Sequence, residues 1–187
     1  MRKHVKRLAL SSALLLLAGC AGSSGSSIKT YDLGAEPPKA SLPALRTVSV
    51  RAAMPFDGSD MLYRLAWRDP GEIAAFGQSR WAAPPAELLR KQLLRALPEA
   101  KDAPCALAVE VNEFTQVFSD EKTSDARIDL RAALSGRAGP VAARSVSISE
   151  PGGGPNAAAG AAAFTRAADR AAAELARWIA AQPACGG

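Results

Sequence analysis

Histidine is almost missing from this sequence of 187 residues, because the only one is His4. If the N-terminal segment is removed, as argued below, the mature chain contains no histidine. Ser-His and Cys-His catalysis and histidine-ligated metals are then excluded, since each requires an imidazole. We therefore expect no metal site, and no cofactor apart from a covalent N-terminal lipid.

Phosphate-binding motifs are also missing. The glycine-rich stretch at residues 151–155 matches neither a Walker loop nor a dinucleotide fingerprint. Carboxylate catalysis stays open as an alternative, because acidic residues are dense between residues 57 and 72: Asp57, Asp60, Asp69 and Glu72. Glycoside hydrolysis would need two carboxylates roughly 5 to 10 Å apart. Acids clustered in loops are usually only solvated, so we expect no catalytic residues and no enzyme.

Long hydrophobic runs are lacking too. The apolar stretch 8–17 (LALSSALLLL) is ten residues long, about half of the ~20 that a spanning helix needs. It follows a basic head and precedes two small residues, as in a secretory signal. The tetrapeptide Leu17-Ala18-Gly19-Cys20 resembles a lipobox. We therefore expect residues 1–19 to be a removed signal peptide and Cys20 to be acylated. The alternative is an ordinary signal peptide with a chance cysteine.

Excess positive charge is only apparent. The formal charge is +5, but four basic residues (Arg2, Lys3, Lys6 and Arg7) lie in the signal, which leaves 5 − 4 = +1. A nearly neutral exported chain has no electrostatic footprint for nucleic acid. Residue 21 is Ala rather than Asp, and an Asp there resembles an inner-membrane retention signal. The expected location is the outer membrane, lipid-anchored and facing the periplasm.

Cysteine is scarce: besides Cys20, only Cys105 and Cys185 are present. Two remaining cysteines in an oxidising compartment often pair. The loop between them would span 185 − 105 = 80 residues, for which chain entropy gives ~4 kcal/mol of stabilisation. Two independent thiols remain the alternative, because Cys185 lies close to the C-terminus.

The rest of the chain predicts one α+β domain. Residues 20–45 are interpreted as the lipidated N-terminus and a flexible tether that contains AGSSGSS, and residues 46–187 as the domain. Alternating apolar residues predict strands, and two amphipathic stripes predict helices. The predicted architecture is a single periplasmic domain with a mostly antiparallel sheet packed against two main helices. The expected strands are 47–53, 61–67, 72–76, 107–118 with a bend at 112–113, 127–134 and 145–149. Residues 28–33 form either a short strand or an ordered arm. The helices follow Pro84 and Asn156, and Asn156 is the expected cap of the second.

Several segments follow one another in a recognisable order: the lipobox, Tyr31-Asp32-Leu33, Val48-Ser49-Val50, Met61-Leu62-Tyr63-Arg64, Arg80-Trp81-Ala82-Ala83-Pro84, the strand from Leu107 to Phe114 and the alanine-rich final helix. In this order they resemble the ABC-type transport auxiliary lipoprotein family, which includes paraquat-inducible protein C. Ala83 stands where the family has an acidic residue.

This resemblance implies a periplasmic protein that accompanies a mammalian-cell-entry (MCE) domain protein and its ABC permease and ATPase, which move lipids or other hydrophobic substrates. Exposed aromatics and sheet edges would bind the envelope-spanning partner. Phe56, Tyr63 and Trp81 are the candidate contacts, with core packing as the alternative for each, whereas Trp67 and Trp178 are expected in the core. A homo-oligomer is a further expectation. The alternative function is a structural or assembly lipoprotein of the envelope, unrelated to transport.

Overall fold

A computed structural model describes residues 27–34 and 44–185. The predicted signal peptide, the lipobox with Cys20, and much of the predicted tether lie outside the described residues. Within the described ranges, no helix combines the length and the apolar character needed to cross a bilayer.

The described chain forms one sheet of seven strands and two helices. The strand order is β1-β4-β3-β5-β6-β7, with β2 also paired to β5. The elements are β1 (Lys29–Tyr31), β2 (Val48–Ala52), β3 (Asp60–Leu65), β4 (Ala74–Trp81), α1 (Pro85–Ala96), β5 (Ala106–Phe118), β6 (Ser124–Gly136), β7 (Gly139–Pro151) and α2 (Ala157–Ala180).

The predicted α+β class with two main helices is confirmed. The two longest ladders, β5–β6 and β6–β7, are antiparallel, and they join three consecutive strands into a meander. Three shorter ladders, β1–β4, β2–β5 and β3–β5, are parallel. The sheet is therefore mixed, with its parallel part on one side of β5.

Strand β5 organises the sheet because β2 and β3 both pair with the same edge of it, the edge opposite β6. β2 pairs with residues 107–111, and β3 pairs with residues 115–118. Between these two stretches the β5–β6 register shifts, at Val111/Glu113. This irregularity confirms the bend predicted near Asn112 and Glu113.

Both helices cover one face of the sheet. Along β6, alternate side chains are buried (Ile128, Leu130 and Ala132), whereas Arg127 and Arg131 are exposed on the opposite face. The buried face of α2 is rich in alanine, and small side chains let a helix pack closely against the sheet.

Aromatic rings fill the centre of this core. Phe114 stacks on Phe164 with ring centroids 4.3 Å apart, and Trp81 meets both rings edge-on, at 5.4 and 5.2 Å. Trp81 is only 2% exposed. These contacts join the end of β4, the middle of β5 and α2.

The hairpin between β3 and β4 differs from the prediction. The expected strand 61–67 ends at Leu65 instead, because the Leu65 carbonyl accepts hydrogen bonds from the N–H groups of Arg68 and Asp69, at 2.8 and 2.9 Å. The chain turns there, so Trp67 is 49% exposed. Its predicted place in the core was wrong, whereas Trp178 is buried as predicted.

The two ends of the sheet differ in what they hold. At the disulfide end, where β5 begins and α2 ends, Cys105 and Cys185 form a disulfide and are both buried. At the opposite end, where β5 stops and α2 begins, the N-terminal chain joins the domain; we call this the tether end. Strand β1 pairs with residues 79–81 of β4, so of the two alternatives for residues 28–33 the short strand is the one observed, inside the segment 20–45.

Candidate functional site

Among the described residues, the strands that have an edge, or part of one, without a neighbouring strand include β1, β2, β4 and β7. Two of these edges reach the tether end. One is the outer edge of β7, which pairs only with β6. The other is the part of β4 that β1 leaves uncovered, residues 74–78, because β1 reaches only residues 79–81. These two edges differ in how they are protected.

Charged side chains of α2 lie over the β7 edge near the tether end. Arg170 Nη1 donates to the Ser149 carbonyl at 3.3 Å, and Arg166 Nη2 donates to the Pro151 carbonyl at 2.5 Å. Both arginines also pair with Glu150, and this carboxylate raises the pKa of the Arg170 guanidinium. Charges placed over an edge oppose the addition of another strand.

The open edge of β4, residues 74–78 (AAFGQ), has, among the described residues, no such charges over it, and its register with β3 shifts between Ala75 and Arg80. It contains neither a charged residue nor a proline. Ala75, Gly77 and Gln78 are exposed, and Phe76 is half-buried. An uncharged edge without proline is suited to pairing with an extended segment of another chain.

An aromatic cluster of Tyr63, Phe76 and Phe118 lies beside this open edge. The Tyr63 ring centroid is 4.7 Å from that of Phe76 and 5.9 Å from that of Phe118. Phe118 is buried, whereas the other two rings are half-buried. Such ring pairs stabilise by ~0.5–1.5 kcal/mol beyond the area that they bury. The cluster therefore presents firmly held aromatic surface.

The cluster lies beyond the start of α2. Tyr63 is the register partner of Gln116, and Gln116 Nε2 donates to the Asn156 carbonyl, next to the first turn of α2, at 3.4 Å. Phe118 is two residues beyond Gln116 and so shares its face of the sheet. The first turn of α2, the helix that covers the core, therefore does not extend over these rings.

An ion pair fixes the hairpin that carries the cluster. Arg64 Nε and Nη2 each lie 3.2 Å from a carboxylate oxygen of Glu113, on β5. The same guanidinium donates to the Pro70 carbonyl at 3.4 Å. The side chains of Arg64 and Glu113 are only 20% and 16% exposed, and two-point pairs of this kind hold a defined geometry.

The three predicted contact residues are not together. Tyr63 belongs to the aromatic cluster, whereas Phe56 and Trp81 are 5% and 2% exposed and pack in the core. Phe76 and Phe118 were missing from the sequence-based candidates. The uncharged stretch AAFGQ was the only signal for this edge, and its pairing partners cannot be read from the sequence.

The acidic residues named in the sequence analysis lie on the surface of the domain. The four acidic residues weighed for catalysis (Asp57, Asp60, Asp69 and Glu72) are all exposed. In residues 27–34 and 44–185, no group of three or more His, Cys, Asp or Glu residues is placed to hold a metal ion.

Comparison with known protein families gives a match over most of the chain. The family described as "ABC-type transport auxiliary lipoprotein component" matches residues 31–176. The chain belongs to this family. The predicted resemblance is thereby confirmed, and membership supports an accessory role in ABC-type transport by a lipoprotein of the cell envelope.

Solved structures show the same fold. A Xanthomonas campestris protein of the DUF330 family is 25% identical, with a TM-score of 0.63, covering 81% of this chain and 91% of that one. An uncharacterised protein is 15% identical, with a TM-score of 0.66, covering 82% of this chain and 99% of that one. No curated protein matched the chain.

Proposed function

We propose that this auxiliary lipoprotein serves an MCE/ABC-type system that moves lipids or other hydrophobic substrates across the cell envelope. A lipid on Cys20 anchors it in the outer membrane, and the domain binds the envelope-spanning MCE-domain partner, with which the permease and ATPase are associated. It carries no cofactor and catalyses no reaction. Family membership over residues 31–176 supports the transport role.

The observation that carries the binding mode is the contrast between the two strand edges. At the tether end of β7, Arg166 and Arg170 cover the edge at Pro151 and Ser149, whereas residues 74–78 of β4 are uncharged and open. A partner segment added there would gain main-chain hydrogen bonds, and its apolar side chains would meet Tyr63 and Phe76. Buried aromatic contacts commonly dominate the affinity of such interfaces.

The place where the chain enters the domain supports this arrangement. Ser27 and Gln78 line a cavity of ≈ 440 Å³ together with Asn156 and Ala157, at the start of α2. The tether thus joins the domain next to the open edge of β4. A partner held at this edge would be kept close to the membrane that anchors the lipid.

The test is affinity capture of the natively expressed lipoprotein from solubilised envelopes, with mass spectrometry of the co-purified proteins. Ala75→Lys places a charge on the open edge of β4, and we expect it to abolish recovery of an MCE-domain protein with its permease. Ala143→Lys is the matched control, because Ala143 is an exposed alanine on the edge strand β7. We expect that variant to keep the partner. Circular dichroism of both variants verifies that each is folded.

A Cys20→Ala variant separates the anchor from the interface. It should lose membrane association but still bind a purified MCE-domain protein. If the wild-type lipoprotein is recovered alone, under conditions that preserve other envelope complexes, the structural or assembly role replaces transport. If the two variants, Ala75→Lys and Ala143→Lys, recover the MCE-domain protein equally well, the β4 edge is rejected as the binding site, whereas the transport role is retained.

A further inference from the structure

Trp67 is an exposed tryptophan that the packing of the domain does not explain. The described residues contain three large exposed hydrophobic side chains: Ile28 (54%), Met54 (82%) and Trp67 (49%). The other two tryptophans, Trp81 and Trp178, are 2% and 9% exposed. A half-exposed indole leaves a large apolar surface in water, with a polar N–H at one edge.

The turn that carries Trp67 is held rigidly. Arg68 N–H and Asp69 N–H both donate to the Leu65 carbonyl, and Gly71 N–H donates to Asp69 Oδ1 at 2.8 Å. The Arg64 guanidinium ties the same turn to β5 through Glu113. An anchor that is already ordered loses little conformational entropy when it binds.

This turn lies at the tether end of the sheet. Leu65, which precedes the turn, pairs with Phe118, the last residue of β5. The N-terminal chain enters near the start of α2, where Ser27 and Asn156 line one cavity. The turn and the entering chain therefore share one end of the molecule, and Ile28 lies on the path between Cys20 and the sheet.

The length of the tether limits how far this end can lie from a membrane. Cys20 and Ser27 are seven residues apart, which corresponds to at most about 25 Å of extended chain and about 15 Å on average for a flexible Gly/Ser linker. A weak surface contact becomes well populated when the tether supplies so high an effective concentration. The bilayer that holds the lipid is then within reach of the tether end of the domain.

We propose that Trp67 seats the tether end of the domain on the bilayer that holds the Cys20 lipid, with its indole ring at the level of the lipid headgroups. Indole rings favour this interface because it is apolar on one side and wet on the other. Arg68, the next residue, supplies a cation for a lipid phosphate, in a turn that also holds the exposed carboxylates of Asp69 and Glu72. This inference rests on the lipid anchor of the proposed function.

The test uses the purified lipidated protein in phosphatidylethanolamine/phosphatidylglycerol vesicles whose acyl chains carry bromine, which quenches nearby tryptophan fluorescence. We expect a blue shift of the emission relative to detergent-free Cys20→Ala protein, and a loss of intensity in brominated vesicles compared with unbrominated ones. Trp67→Ala should remove both effects, because the remaining tryptophans are buried in the fold. Met54→Ala, which removes another exposed hydrophobic side chain, should keep them.

The outcomes separate this inference from its premise. If the lipidated protein co-sediments with vesicles but bromine does not quench its emission, the anchor stands and the seating of Trp67 is rejected. If the protein does not co-sediment at all, the lipid anchor fails and the inference falls with it. Equal quenching in wild type and Trp67→Ala would also overturn the assignment.

Discussion

Gly160 leaves space for the amide of Gln116. A Cβ atom added at Gly160 would overlap that amide, which is buried and donates to Ser124 Oγ at 2.8 Å. The Gln116 amide also reaches the Asn156 carbonyl. The absence of one side chain thus allows a polar group of β5 to connect β6 with the start of α2.

A Gly160→Ala substitution should therefore destabilise the protein. At an unhindered helix position, alanine stabilises by up to ~1 kcal/mol relative to glycine. Here we expect a loss of ~1–3 kcal/mol, because the methyl group overpacks a filled site. Urea denaturation measures the change. In a double-mutant cycle, Gln116→Ala should relieve the cost of Gly160→Ala; purely additive effects would contradict this explanation.

The carboxylate of Asp120 makes part of the stability dependent on pH. Its Oδ1 accepts hydrogen bonds from the N–H groups of Lys122 and Thr123, both at 2.7 Å, and these bonds lower the pKa of Asp120 below its ordinary value. A lowered folded-state pKa contributes stability that is present above the unfolded-state pKa and is lost as the pH falls through the folded-state pKa.

We therefore expect Asp120→Asn to flatten the fall in stability on acidification. The measurement is the thermal unfolding midpoint between about pH 5 and pH 2. Glu121→Gln removes an exposed negative charge from the same turn and is the control. Its unfolding midpoint should fall with pH more steeply than that of Asp120→Asn. The same slope for wild type and Asp120→Asn would assign the acid sensitivity to other carboxylates.

At the scale of elements, the β3–β4 hairpin depends on the Arg64–Glu113 pair. Arg64→Ala leaves the Glu113 carboxylate, only 16% exposed, without its cation, and we expect a loss of ~1–3 kcal/mol. Arg51→Ala is the matched control. It breaks a cross-strand pair with Glu110 whose side chains are 78% and 33% exposed, so its cost should stay within ~1 kcal/mol. Chemical denaturation of both variants tests the difference.

Local patterns were enough to predict several elements. The alternation from Ile128 to Leu134 predicted β6, and Asn156 caps α2 as expected, through a hydrogen bond from the Ala159 N–H. The parallel ladders could not be predicted. β2 pairs with residues more than 50 positions away in β5, and such pairings leave no mark in the sequence near either strand.

The candidate site was harder to predict for the same reason. Tyr63 was a candidate from its place in a strand, but its contacts with Phe76 and Phe118 depend on pairings across three strands. Trp67 was misplaced because the alternation of Met61, Tyr63 and Leu65 extends to it in the sequence. The turn that begins at Leu65 ends the strand first.

At the scale of the whole molecule, the disulfide closes the end opposite the tether. Replacing both Cys105 and Cys185 by alanine releases an 80-residue loop, and we expect the free energy of unfolding to fall by up to ~4 kcal/mol. Denaturation with and without dithiothreitol measures this. The reductant should destabilise the wild type and leave the double variant unchanged. No effect on the wild type would mean that the bond contributes nothing to stability.

Strand β1 also determines how the domain carries mechanical load. Any pull between the membrane anchor and the domain reaches β1 before the core. That strand is held by a three-residue parallel ladder, by the Ala82 N–H bonded to the Tyr31 carbonyl at 2.7 Å, and by the exposed Asp32–Lys91 pair. Because β1 runs away from the tether end, a pull towards the membrane shears this ladder along its length rather than unzipping it. The hydrogen bonds of this ladder are therefore the first in the domain to bear the tension, before the aromatic core and the disulfide.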